Sequence, residues 1–222
     1  MRGIVYGLAG LAAFVLLGSV LGLVATEPSP WMGEHGPWYV SRAAGLTAYL
    51  LLWAGVVGGL LMSSAWFDGF VHRGRLLAMH ETAAIAGLGF AALHALALIP
   101  DGWTDLTILH LLVPFTAPFD RSLNALGTLT LYLAGIVTVS FWMRSLIGAK
   151  TWRLVHFAAF VAWGGALWHG MQLGTDSRTA WVAALYALSA LAVCFAVVLR
   201  LTYRKALPRR QEVPREVPVR AA

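Results

Sequence analysis

Residues 76–100 read LLAMHETAAIAGLGFAALHALALIP, and residues 152–174 read WRLVHFAAFVAWGGALWHGMQLG. Each is a run of apolar and small residues, long enough to cross the roughly 30 Å hydrocarbon core of a bilayer as a helix. Each also carries two histidines: His80 and His94 are 14 residues apart, and His156 and His169 are 13 apart. Ionisable side chains at membrane depth are costly and mark functional sites. The fold and the chemistry of the chain both turn on these two stretches.

Four more runs of the same kind flank them, at 4–25, 40–62, 123–143 and 179–201. The expectation is an all-α integral membrane protein, a bundle of six spanning helices within residues 1–204. Composition agrees. Of the 222 residues, 59% are hydrophobic and 12% charged, where a soluble domain carries about a quarter charged residues. The run at 4–25 exceeds the roughly 7–15 apolar residues of a secretory signal and lacks a clean A-x-A site, so it reads as a retained helix. Residues 205–222 are charged and proline-rich and read as a disordered tail.

The connecting segments sort by charge. Arg2, Arg73, Arg75, Arg144, Lys150, Arg153 and the basic residues from Arg200 onward fall on one side. The other side has Arg42, Arg121 and Arg178 among Glu27, Glu34, Asp101, Asp105, Asp120 and Asp176. The positive-inside rule then places both termini in the cytoplasm of a multi-pass cell-membrane protein. Trp31, Trp38, Trp103 and Trp181 fall at the outer boundary, with Trp66, Trp142 and Trp152 at the inner one, as aromatic belts do. This topology accounts for the formal charge of +6 without a nucleic-acid partner; the bilayer is the partner expected. The segment 101–122 holds an apolar piece at 106–115, expected to lie in the outer interface.

A lone cysteine, Cys194, excludes an internal disulfide and a cysteine-ligated iron–sulfur cluster. No C-x-x-C-H motif is present, so a haem would be held without a covalent link. Spacings of 13 and 14 residues separate the histidines of one helix by roughly 20 Å, too far for one compact metal site. The third and fifth runs are parallel in a six-span topology. His80 and His156 then share an inner depth, and His94 and His169 an outer depth. Each pair would clamp one porphyrin iron between two imidazoles, giving two b-type haems with no open coordination position. Four histidines could instead be satisfied by interhelical hydrogen bonds, but that would not explain their pairing in depth.

Helical rotation fits one pair better than the other. Fourteen residues fall about 40° short of whole turns, and thirteen about 140° short. A bend near Trp163-Gly164-Gly165 is expected to correct the fifth helix. Gly164 and Gly165, with Gly87 and Gly89, either make room for a macrocycle or serve ordinary small-residue packing. Arg42 at the outer face, and Arg153 and Arg73 at the inner, either pair with haem propionates or stand as snorkelling end charges. Glu81 either snorkels or assists protons. His110 reads as structural or interfacial, and His35 and His72 as solvated.

The pattern resembles the ferric-reductase-like transmembrane domain shared by ferric reductases, NADPH oxidases and the membrane haem subunit of the bacterial periplasmic methionine sulfoxide reductase system. The pieces that carry the likeness are Ser41-Arg42-Ala43-Ala44-Gly45, His80 with His94, Leu112-Val113-Pro114-Phe115, Leu126-Gly127-Thr128-Leu129, Trp152-Arg153-Leu154-Val155-His156 and His169-Gly170 with Gly174-Thr175-Asp176. The resemblance covers residues 40–201 and implies two stacked b haems passing electrons across the membrane, an oxidoreductase component. Many relatives add a flavin and nicotinamide domain. Here about 20 residues follow the sixth run, with no G-x-G-x-x-G unit, so a separate flavoprotein or a quinol is the expected donor. Ferric iron, oxygen or a periplasmic reductase is the expected outer acceptor. The competing expectations are a stand-alone quinol-oxidising or metal-reducing enzyme and, from a different class, a metal permease.

Overall fold

A computed structural model describes residues 35–63 and 72–202. The run at 4–25, the tail from 205, and Trp31 and Trp66 lie outside the described residues. Five long helices and one short one make up the described fold: α1 Gly36–Ser63, α2 Arg73–Leu96, α3 Ile108–Leu112, α4 Arg121–Ser140, α5 Arg144–Leu173 and α6 Ala180–Thr202. No strand occurs among the described residues.

The helices follow the apolar runs, with instructive differences at their starts. α1 begins at Gly36, ahead of the expected residue 40, and takes Pro37 into its first turn. A proline is accommodated there because the first amides of a helix have no intrahelical acceptor to lose. α5 begins at Arg144 rather than at 152. Its first turn is set off from the rest by Gly148, whose φ of 80° and ψ of 156° are non-helical; the missing side chain makes that backbone accessible.

α1, α2, α4 and α6 are long and apolar enough to cross a membrane, which marks a multi-pass membrane protein. α5 is longer still at 30 residues, but its tryptophans, histidines and glycines dilute its apolarity. α3 is a five-residue turn in the segment expected at the interface. Its Ile108, Leu109 and Leu112 are exposed, as are Trp103 and Phe115 around it.

The helices pack as two hairpins. α1 lies closely along α2, and α4 along α5, while α2 and α5 make little direct backbone contact. Only Gly87 in α2 and only Ala162 in α5 are buried. The buried apolar clusters lie between α1 and α6, where Val56, Leu60, Val193 and Ala196 form one and Tyr49, Val182 and Tyr186 another. Tyr49 and Tyr186 meet edge to face with centroids 4.9 Å apart. The hydroxyls of Tyr49 and Ser189 are hydrogen-bonded, and the Trp53 indole donates to the Ser189 carbonyl at 3.1 Å. At the opposite hairpin, a Cβ on Gly165 would collide with the Thr130 hydroxyl, so this glycine sets how closely α5 approaches α4.

Ser189→Ala leaves the buried Tyr49 hydroxyl short of its partner. It should destabilise the full-length protein by about 1 kcal/mol, the scale of interhelical side-chain hydrogen bonds in membranes, measured by thermal unfolding in detergent.

Candidate functional site

The four helix-borne histidines meet in two pairs across the space between α2 and α5. The rings of His80 and His156 have centroids 5.9 Å apart with planes inclined by 65°. Those of His94 and His169 are 6.3 Å apart at 82°. Both pairings follow chain order, so α2 and α5 run parallel, as the pairing in depth requires.

Three of the rings are held from behind in the same way. His94 Nδ1 donates to the Ser41 carbonyl at 2.8 Å. His80 Nδ1 donates to the Gly55 carbonyl at 2.8 Å, and His169 Nδ1 to the Leu123 carbonyl at 2.8 Å. A carbonyl can only accept, so the proton sits on Nδ1 and the lone pair on Nε2, the tautomer of a metal-bound histidine backed by a second partner. Ser41 adds to this: its hydroxyl donates to the His94 carbonyl at 2.9 Å, so helix and ring are clasped together.

Each accepting carbonyl stands four residues before a glycine. A Cβ on Gly45 would fall 2.8 Å from His94 Nδ1, and one on Gly127 would fall 2.7 Å from His169 Cε1. A Cβ on Gly59 would reach 3.5 Å from His80. In a helix the carbonyl of residue i points towards residue i+4. At Gly45 and Gly127 the missing side chain is what lets an imidazole lie against the turn and reach the carbonyl, whereas at Gly59 a Cβ would make ordinary contact. Gly45 and Gly59 are 14 residues apart, as are His80 and His94, so antiparallel α1 and α2 bring both glycines opposite both rings.

On the other hairpin Gly127 lies against His169, and no glycine of α4 is found against His156. His156 lacks the backing. Its Nδ1 is buried with no hydrogen-bond partner, and its ring stacks on Trp152 of its own helix, at 5.1 Å and 27°. This is how α5 accommodates its 13-residue spacing. His169 turns to α4 and His156 turns along α5, so the two rings need not share a face. The bend expected at 163–165 is not used: Gly148 is the residue of α5 with non-helical angles.

The arrangement fits a bis-imidazole haem iron on three counts. With metal–nitrogen bonds of about 2 Å and each ring centre ~1.2 Å beyond its nitrogen, two imidazoles sharing one metal would have centroids up to about 6.4 Å apart, and both pairs fall within that span. The backed rings have Nε2 free to bind. The sparse contact between α2 and α5 leaves room for a flat group. Around His94 and His169 that room is a cavity of about 360 Å³ between all four neighbouring helices, with Leu88, Ala91, Leu131 and Ala134 among its apolar walls. Among the described residues no three His, Cys, Asp or Glu side chains converge as a conventional cation site needs.

The other expected residues are placed as follows. Arg42 lines the cavity, but its guanidinium is held by Asp176, with Nε donating to Oδ2 at 2.8 Å and Nη2 paired with Oδ1. It also lies 4.1 Å over the Trp38 ring. The pair ties α1 to the connection before α6. Arg153 is exposed, at the far end of the histidine ladder from Arg42, and Glu81 is partly exposed. His110 borders the cavity and caps α3, its Nδ1 accepting from the Thr107 amide at 3.2 Å; it therefore carries its proton on Nε2, the reverse of the three backed rings. His35 sits 5.7 Å from Trp103, and His72 is exposed before α2. Of the glycines expected to make room, Gly87 packs on Leu51 and Gly165 on Thr130, and a Cβ on Gly164 would meet open space. Gly45, Gly59 and Gly127 are the ones that serve the histidines. Their signal in the sequence was the 14-residue spacing of Gly45 and Gly59, matching that of His80 and His94.

No family model, no curated protein and no solved structure matches the chain.

Alanine in a helix is worth about 1 kcal/mol over glycine. Gly135→Ala, where a Cβ meets nothing within 4 Å, should show that gain in thermal unfolding. Gly45→Ala and Gly127→Ala should instead lose stability, because the new methyl displaces a hydrogen-bonded ring.

Proposed function

We propose that the chain carries electrons across a membrane through two b-type haems, one between His80 and His156 and one between His94 and His169. The observation that carries this reading is the pairing of four histidines across helices held apart, three with Nδ1 committed to a carbonyl and Nε2 left to bind. When bound, haem supplies a one-electron carrier of tunable potential. Everything else is the protein's own work.

The backbone carbonyls of Ser41, Gly55 and Leu123 fix ring orientation and make the imidazoles more electron-rich. Gly45 and Gly127 admit the rings of His94 and His169 to those carbonyls. α1 and α4 act as rigid backs, and α2 and α5 present the ligands. Arg42, with its charge balanced by Asp176, lines the outer cavity and would be the cation nearest a propionate there, and exposed Arg153 would be one on the inner side. The likeness to the ferric-reductase-like transmembrane domain adds the direction: from a cytoplasmic donor, a flavoprotein or quinol, to an outer acceptor such as ferric iron, oxygen or a periplasmic reductase. In this reading the chain has six spans with both termini inside, lies in the cell membrane, and is the haem component of an oxidoreductase. A relay of metal ions by the same histidines is disfavoured by the ~20 Å between ligand levels.

Full-length protein purified with haem in excess should show a reduced b-type spectrum with about two haems per chain. His94→Ala or His169→Ala should remove one haem and spare the other, and His80→Ala or His156→Ala should do the converse. The absence of a Soret band overturns the proposal.

A further inference from the structure

His156 is the one histidine of the four without a carbonyl behind it, and it does not stand alone. Its Nδ1 and the Nε1 of Trp152, two stacked rings one helical turn apart, are both buried and both without a hydrogen-bond partner. Buried polar nitrogens are nearly always paired, and an unpaired one costs about 1–3 kcal/mol. The guanidinium of Arg144 lies 5.8 Å over the Trp152 ring and 5.1 Å over the Phe141 ring. Arg144 belongs to the first turn of α5, which Gly148, with a φ of 80°, sets off from the rest of the helix. The result is a stack that runs from a surface cation through Trp152 and His156 to His80.

We propose that Trp152 and His156 form the docking site for the carbonyl head group of a membrane quinone. The proposal rests on the haem reading in one respect: with Nε2 of His156 directed at an iron, Nδ1 carries the proton and is a donor. Two N–H donors then want acceptor oxygens, which a quinone ring supplies as carbonyls, and Arg144 offers a cation beside the head group. The aromatic stack suits a flat ring. The surroundings suit a ligand that arrives through lipid, since Leu146, Leu154 and Phe157 are all exposed apolar side chains on this part of α5. Nδ1 is on the side of the imidazole away from Nε2, so the head group would lie beyond the ligand ring, in hydrogen-bonded contact with it, and not in the haem's own place. The site exists at one ring only because the other three histidines have Nδ1 on a carbonyl of a neighbouring helix, and His156 is left with its donor uncommitted.

The test uses the full-length protein in nanodiscs, titrated with a short-chain benzoquinone and with menadione. Binding is read from perturbation of the haem absorption bands and, in haem-free protein, from quenching of tryptophan fluorescence. Saturable binding to the wild type is expected, weakened about tenfold by Trp152→Phe, which keeps the ring and removes the donor. Haem content should be unchanged by that substitution, and Trp103→Phe at the other end should leave binding unchanged. Absence of saturable binding to haem-loaded wild type, or equal binding by Trp152→Phe, overturns the proposal and leaves a bound water as the partner of these nitrogens. Quinone binding that is sensitive to Trp152→Phe in a protein that takes up no haem keeps the site and overturns the haem reading instead.

Discussion

The contact on which the rest of the structure depends is an imidazole N–H donating to a backbone carbonyl of the neighbouring helix, over a glycine. It occurs three times, at Ser41 with Gly45, Gly55 with Gly59 and Leu123 with Gly127. It solves two problems together. A histidine inside a bilayer is expensive unless its polar atoms are engaged, and a carbonyl already in a helical hydrogen bond retains a lone pair that can engage one. The same contact fixes the tautomer, so Nε2 is the nitrogen whose lone pair is able to bind a metal.

From that contact follows the division of labour among the helices. α1 and α4 are close-packed backs whose glycines are spent on the rings, while α2 and α5 carry the histidines and touch each other little. The two hairpins meet through α1 with α5 and α2 with α4, which leaves α2 and α5 apart, and α6 closes on α1 through the Tyr49, Ser189 and Trp53 hydrogen bonds. Arg42 and Asp176 fasten the end beside His94 and His169. At the other pair the symmetry fails at one ring, and the consequence is chemical: His156 rests on Trp152 and its Nδ1 has no backbone partner. The two pairs are therefore unequal ligands, one with both imidazoles backed and one with a single imidazole backed.

Much of this was legible in the residues, for reasons that can be named. Apolar runs located the described helices to within a few residues, apart from the start of α5 eight residues early, because the membrane imposes one length and one composition. The histidines stood out because polar groups at that depth are rare, and their equal depth followed from parallel runs. What the chain order could not display was contact between distant segments. Asp176 is 134 residues from Arg42, so a charge that looked available turned out to be engaged. Gly45 and Gly127 sat inside motifs already singled out, yet their role needs the antiparallel register of each hairpin, which no single run contains. The 13-residue spacing of His156 and His169 suggested a bend because both rings were assumed to leave one face of the helix. The fold gives them different supports instead. The run at 4–25 and the tail lie outside the described residues, and the six-span count remains part of the proposal.

The ring planes offer the most direct test of the central idea, that these histidines clamp iron in pairs. Two axial imidazoles with planes far from parallel give low-spin ferric haem a highly anisotropic electron paramagnetic resonance signal with a large principal g value, whereas parallel planes give a rhombic one. With planes inclined by 82° and 65°, the oxidised haem-loaded protein should show low-spin signals of the highly anisotropic kind at both sites. A high-spin ferric signal, from iron with one axial histidine or none, would contradict the pairing on which the structure has been read.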